Sequence, residues 1–136
     1  MASIDSYTHS FADNFRIAKS KIYTAPTSGT YNIIHVPRYA FVDEVWIEIL
    51  VVASATPTAL TVGWAGNGET AVTGGFISTD IAKPTALGLK RATKDTKTNF
   101  DGKYFSAGSG IITLTYTPGS DTTCSFRVFA TYSVVY

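Results

Sequence analysis

FVDEVWIEILVVA, Phe41–Ala53, is the stretch that decides the fold. Val45, Ile47, Ile49 and Val51 fall on one side of an extended chain, and Glu44, Trp46, Glu48 and Leu50 on the other. That two-residue period is the signature of a strand. A strand with one face in water would carry polar groups alone on that face. Trp46 and Leu50 stand among the glutamates, so the second face is expected to be partly covered too. The apolar run around Val45–Ala53 is the longest in the chain and Glu48 interrupts it, so it is far too short to cross a bilayer.

The same period returns toward the C-terminus. In GIITLTYTPGSD (Gly110–Asp121), Ile112, Leu114 and Tyr116 alternate with Thr113, Thr115 and Thr117. In TCSFRVFATYSVVY (Thr123–Tyr136), Phe126, Val128, Ala130, Tyr132 and Val134 alternate with Arg127, Phe129, Thr131, Ser133 and Val135. With PGSD between them, these two runs are expected to form an antiparallel hairpin. Before Phe41, KIYTAP ends at Pro26, PTSG reads as a turn, and TYNIIHV stops at Pro37. After Ala53, TALTVGWA is a strand that GNGE closes with glycines tolerant of positive φ. Thr70–Thr98 is the loosest part, with short strands or a long excursion expected. Seven or eight strands with glycine-rich turns, and no alternation of strands with helices, give an all-β fold. The expected architecture is an antiparallel β-sandwich, jelly-roll-like or otherwise.

Residues 1–20 read differently. DSYTHSFADNFRIAKS is polar, with Tyr7, Phe11 and Phe15 at four-residue spacing. Phe11, Phe15 and Ala18 would share a helix face, with Asp5 or Ser6 as cap. A short amphipathic helix and an extended arm both fit. The chain is thus expected to divide into an arm, residues 1–20, and one sandwich domain, residues 21–136.

Composition narrows the function. The chain has 136 residues, 45% hydrophobic and 15% charged, against about 25% charged in an average globular protein. Net charge is +1, so no global field draws the chain to nucleic acid or membrane, and little opposes self-association. No basic and apolar leader opens the sequence, so secretion is not expected. The single cysteine, Cys124, excludes an internal disulfide and reads as a buried thiol.

Catalytic patterns are missing. The histidines are His9 and His35, and no HxxxH, CxxC or GxSxG occurs. Glu44 and Glu48 share a strand face but would stand roughly 13 Å apart along it, beyond the separation of a glycosidase pair. AGNGET (Ala65–Thr70) is a glycine turn, not a phosphate or calcium loop. No enzyme activity, cofactor or metal site is expected. Lys83, Lys90, Arg91, Lys94 and Lys97 form a basic stretch offset by Asp80 and Asp95. It lacks the interleaved aromatics that stack bases. Trp46 and Trp64 fit either core packing or a platform for a sugar or a protein. Partner contact is therefore assigned to Tyr7, Phe11, Phe15 and Arg16 in the arm. To these are added Trp46 and Trp64 on strands, and Lys90, Arg91 and Lys94 in the basic stretch.

VPRYAFVDEVWIEI, LTVGWAGNGETAVTGGF, GLKRATKDTKTNFDGKYF, GIITLTYTPG and SFRVFATYSVV together resemble small virion proteins of tailed bacteriophages. These are jelly-roll or sandwich proteins that decorate or cement heads, or sit at head–tail junctions or fibre bases. The resemblance runs from about Ile22 to Tyr136 and carries no diagnostic site motif. It implies a structural protein on the capsid surface of a virion, made in the host cytoplasm. It also implies a homo-oligomer, with a trimer favoured, and the major capsid protein as partner. Decoration or cement is the expected role, with a receptor- or carbohydrate-binding fibre module or a neck or tail connector as the alternative.

Overall fold

In the structure, a computed structural model that describes residues 15–92 and 102–135, the Phe41–Ala53 stretch supplies most of the longest strand. The elements in order are β1 (Phe15–Lys19), β2 (Tyr23–Thr24), β3 (Gly29–Val36), β4 (Ala40–Val51), β5 (Ala59–Gly66) and β6 (Glu69–Ile77). There follow the helical turn α1 (Thr79–Ala82), β7 (Gly88–Arg91), β8 (Lys103–Tyr104), β9 (Gly110–Thr117) and β10 (Ser125–Val134). They make two antiparallel sheets. In the six-stranded sheet the path is β1-β10-β4-β7, with β2 also on β10 and β8 also on β4; the four-stranded sheet runs β3-β9-β5-β6.

The pairing is nested. The β5–β6 hairpin is innermost; β4 pairs with β7 and β8, β3 with β9, and β2 with β10. Successive pairs fall in opposite sheets, so one long hairpin is rolled up around the core. That winding is a jelly roll.

The inward rows follow the alternation. Val45, Ile47 and Ile49 of β4, Phe126, Val128 and Ala130 of β10, Leu60 and Val62 of β5, and Ile112, Leu114 and Tyr116 of β9 are all buried. Each large side chain among them contributes about 1.5–3 kcal/mol by leaving water. Parity is not continuous along β4, where Ala40 and Val42 are buried as well. Thr131 lies opposite Glu44 and Tyr132 opposite Val42, so Asp43 is an extra residue. This bulge returns the strand to the correct face after one step.

One expectation is overturned. β9 and β10 do not form a hairpin. β9 lies between β3 and β5, and β10 lies between β4 on one side and β1 and β2 on the other, so neither has a vacant edge for the other. The segment from Pro118 to Cys124 instead carries the chain from one sheet to the other. Of the two conformations open to the arm, its last residues take the extended one. Phe15–Lys19 is strand β1, paired from Phe15↔Ser133 to Lys19↔Phe129. A helix that short is marginal in water, whereas β10 offers a row of unsatisfied backbone groups. Ser20 continues the edge: its N–H donates to the Val128 carbonyl at 2.8 Å, and its hydroxyl accepts from the Val128 N–H at 2.9 Å. Tyr7 and Phe11 lie outside the described residues, as do Lys94 and Lys97.

Candidate partner-binding face

The outer face of the six-stranded sheet carries the most chemistry. Register places Phe129 of β10 opposite Trp46 of β4, and Trp46 opposite Arg91 of β7. The Arg91 guanidinium lies 4.8 Å from the centre of the Trp46 ring and 3.1 Å from the Glu44 carboxylate. The neighbouring row repeats the pattern. Arg127, opposite Glu48, is 2.7 Å from that carboxylate and 5.0 Å from the Phe129 ring. Each of these half-exposed ion pairs contributes at most about 1 kcal/mol, and each cation–π contact a similar amount. Their larger effect is on the character of the face: both glutamates of its β4 row, Glu44 and Glu48, have an arginine beside them. Ile17 on β1 and Leu89 on β7 flank the aromatics, 73% and 52% exposed.

Beside β7 the face dips into an open groove of about 680 Å³ between the sheet and α1. Trp46, Ile81 and Leu89 form its apolar lining, and Asp80, Lys83, Lys90 and Arg91 its polar lining. α1 is held there by the Ser78 side chain, which accepts from the Ile81 N–H. Lys83 ends it at a φ of 43° in the left-handed region. Trp46, Lys90 and Arg91, assigned separately from sequence, are thus brought together.

Lys90 is not a free cation. Its ammonium donates to the carbonyls of Lys83 at 2.5 Å and Ala86 at 2.6 Å. Burial, and then the nearby charge of Lys83, pull its pKa below the usual lysine value. It anchors the chain after α1 and forms one wall of the groove.

Trp64 belongs elsewhere. It lies in the four-stranded sheet and meets Phe76 edge-on at 5.0 Å. The Lys103 ammonium sits 5.3 Å from its ring, and a Cβ on Gly75 would come within 2.0 Å of that ring. Lys103 also pairs with Glu69 at 2.7 Å. That hydrogen bond is the chief cause of a Glu69 pKa below the usual carboxylate range. Arg16 is exposed on β1, opposite Tyr132.

Sequence reasoning missed a buried polar knot. The Asp121 carboxylate, 5% exposed, accepts from the Tyr116 hydroxyl at 2.5 Å and from the Ser54 and Thr123 N–H groups at 2.9 and 3.2 Å. An aspartate closing PGSD, five residues after the inward-reading Tyr116 near the end of a strand, was the available signal. Cys124 lies beside it, fully buried. Burial, followed by the Asp121 charge, pushes its thiol up to about 11. His35 is exposed opposite Ile111. Among the described residues no cluster of three or more His, Cys, Asp or Glu is placed to hold a metal, and no helix is long and apolar enough to cross a membrane.

No protein-family model matches the sequence, and no curated protein matches it. Solved structures do match. The chain is similar to one in the cyanophage Pam1 capsid asymmetric unit, with a TM-score of 0.64 and 21% identity over 90% of this chain and 86% of that one. It is similar to one in the acidic stable capsid structure of Helicobacter pylori bacteriophage KHP30, with a TM-score of 0.62 and 18% identity over 88% and 87%. A third match is in the capsid of Ralstonia phage GP4, with a TM-score of 0.62 and 14% identity over 90% and 86%. At these identities the common property is the fold. This all-β sandwich has the fold of chains found in phage capsids.

Proposed function

We propose that this protein is a structural component of a tailed-phage virion: a decoration or cement protein on the outside of the head. The observation that carries the reading is the near end-to-end fold match to capsid chains of about its own length. In this reading it bridges neighbouring subunits of the major capsid protein, with no covalent chemistry. The outer face of the six-stranded sheet is the contact surface, with Trp46, Arg91 and the groove beside them at its centre. The pairing of Glu44 with Arg91 and of Glu48 with Arg127 lowers the cost of bringing the centre of that face against a protein. Many modest contacts repeated around a shell raise the barrier to opening collectively. The protein is proposed to act as a homo-oligomer, a trimer first, and to be made in the host cytoplasm. Tyr7 and Phe11 are proposed to fasten it to the capsid or to a neighbouring subunit, and Lys94 to take part in partner contact. The fibre alternative draws little support from the tryptophans, because a cation already lies over each ring.

Quantitative mass spectrometry of purified particles tests the reading. Decoration expects a copy number comparable with that of the major capsid protein. A handful of copies per particle points to a fibre or neck, and absence from particles refutes a virion role altogether.

A further inference from the structure

We propose that Asn67 is a site of spontaneous deamidation, and that Ser109 is the side chain that restrains it. Gly66 and Glu69 pair across the β5–β6 turn, which leaves Asn67 and Gly68 as its two exposed residues. Gly68 has a φ of +79°, and a Cβ added there would lie 2.9 Å from the Ala107 methyl. Conformation and space both exclude a larger residue. The fold therefore demands glycine directly after this asparagine. Asn67 is the only asparagine in the chain in that position: Asn14 and Asn99 precede phenylalanine, and Asn32 precedes isoleucine. Asparagine is thermolabile, and an unhindered following backbone nitrogen is what makes it so.

The reaction needs water and a base and involves no redox change. The Gly68 nitrogen gives up its proton and attacks Cγ of Asn67. The new C–N bond closes a five-membered succinimide, the Cγ–Nδ2 bond breaks, and the nitrogen leaves as ammonia with a proton from water. Water then opens the ring. Addition at Cγ gives aspartate; addition at the main-chain carbonyl gives isoaspartate, with the backbone rerouted through Cβ.

The restraint is local. Asn67 Nδ2 donates to Ser109 Oγ at 3.0 Å. The following loop packs closely, with a Cβ on Gly108 falling 2.8 Å from the Asn67 Cβ. Ring closure turns the carboxamide onto its own main chain and breaks the bond to Ser109. The product places a new negative charge two residues from Glu69, and isoaspartate lengthens the main chain within a two-residue turn. Both work against the hairpin.

The test is peptide mapping of the full chain after incubation in warm, mildly alkaline buffer, with aspartate and isoaspartate separated chromatographically. Wild type, Ser109→Ala and Ser109→Thr are compared, with thermal melts and core amide exchange measured in parallel. Conversion is expected at Asn67 before Asn14, Asn32 or Asn99, and faster as pH rises. Ser109→Ala is expected to react several-fold faster, and Ser109→Thr, which keeps the hydroxyl, near the wild-type rate. Equal rates in wild type and Ser109→Ala overturn the restraint, as does an acceleration that merely tracks core amide exchange. Earlier conversion at another asparagine, or none at Asn67, overturns the site.

Discussion

Tyr116→Phe removes one oxygen atom from the core and tests how the crossover between the sheets is held. Tyr116 is fully buried on β9, and its hydroxyl donates to Asp121 Oδ2 at 2.5 Å. The other donors to that carboxylate are the Ser54 N–H and hydroxyl, at 2.9 and 3.3 Å, and the N–H groups of Thr123 and Cys124, at 3.2 and 3.4 Å. The substitution leaves Oδ2 with the long Cys124 contact alone. A hydrogen bond to a charged group contributes about 1.5–3 kcal/mol, so the expected loss is about 2 kcal/mol. For a domain of this size that lowers Tm by roughly 6–8 °C. Burial raises the Asp121 pKa, and the bonds from Tyr116, Thr123, Ser54 and Cys124 more than offset it, leaving the carboxyl below its usual range. Stability from such a group is present above the unfolded-state pKa of about 3.9 and lost as pH falls through the lower folded value. Without the Tyr116 bond the folded pKa climbs while burial remains. Urea unfolding across a pH series reads both effects, with m expected to be unchanged. The gap between the proteins should be full at neutral pH and narrow in acid, where wild type protonates Asp121 as well. A neutral-pH difference within about 0.5 kcal/mol, the range of an indifferent surface change, refutes the reasoning. So does a gap that stays constant into acid.

Val128→Asp places an unpaired carboxylate on the fully buried row of β10. The cost of several kcal/mol rivals the stability of a small domain, so loss of the folded body by circular dichroism is expected, and near-wild-type melting would reverse the face assignment. Gly75→Ala drives a methyl to within 2.0 Å of the Trp64 ring, and a loss of about 1–3 kcal/mol with a shift in tryptophan emission is expected; an unchanged spectrum and Tm would contradict that packing. The Cys124 thiol, fully buried with its pKa pushed to about 11, should resist iodoacetamide in mildly alkaline buffer until the protein unfolds, and rapid alkylation of native protein would contradict its burial.

Much of the fold was legible because a buried sheet face writes itself into every second residue. Phe126, Val128 and Ala130, and Ile112, Leu114 and Tyr116, point inward as the alternation requires. Alternation says which side chains enter the core, not which sheet a strand joins, and the false β9–β10 hairpin arose there. A turn as short as PGSD serves a hairpin or a crossover equally well. What distinguishes them is whether an edge is vacant, a property of the other strands. The bulge at Asp43 was hidden for a related reason, since one extra residue shifts parity without altering composition. Four-residue aromatic spacing in the arm is compatible with both a helix and an extended segment; for Phe15–Lys19 the edge of β10 decides it.

The candidate face was legible in parts and not as a whole. Trp46 and Arg91 were singled out separately, one for its ring and one for its charge; they meet because β7 returns antiparallel to β4 with Arg91 opposite Trp46. Lys90 belonged to the same basic stretch, yet it is opposite the inward residue Ile47, and its ammonium is used by the backbone after α1. Neighbours in sequence thus take opposite roles because a strand sends them to opposite faces. The same constraint explains Glu44 and Glu48. Read along one strand they are solubilising charges, but burying Val45, Ile47 and Ile49 against the core fixes the register, and the register delivers Arg91 and Arg127 to them. A sugar needs a bare ring face for stacking and unpaired polar groups for its hydroxyls. Here the guanidiniums lie over the rings and the carboxylates are paired, so the face is better suited to a protein surface, which can cover rings and ion pairs together without separating them.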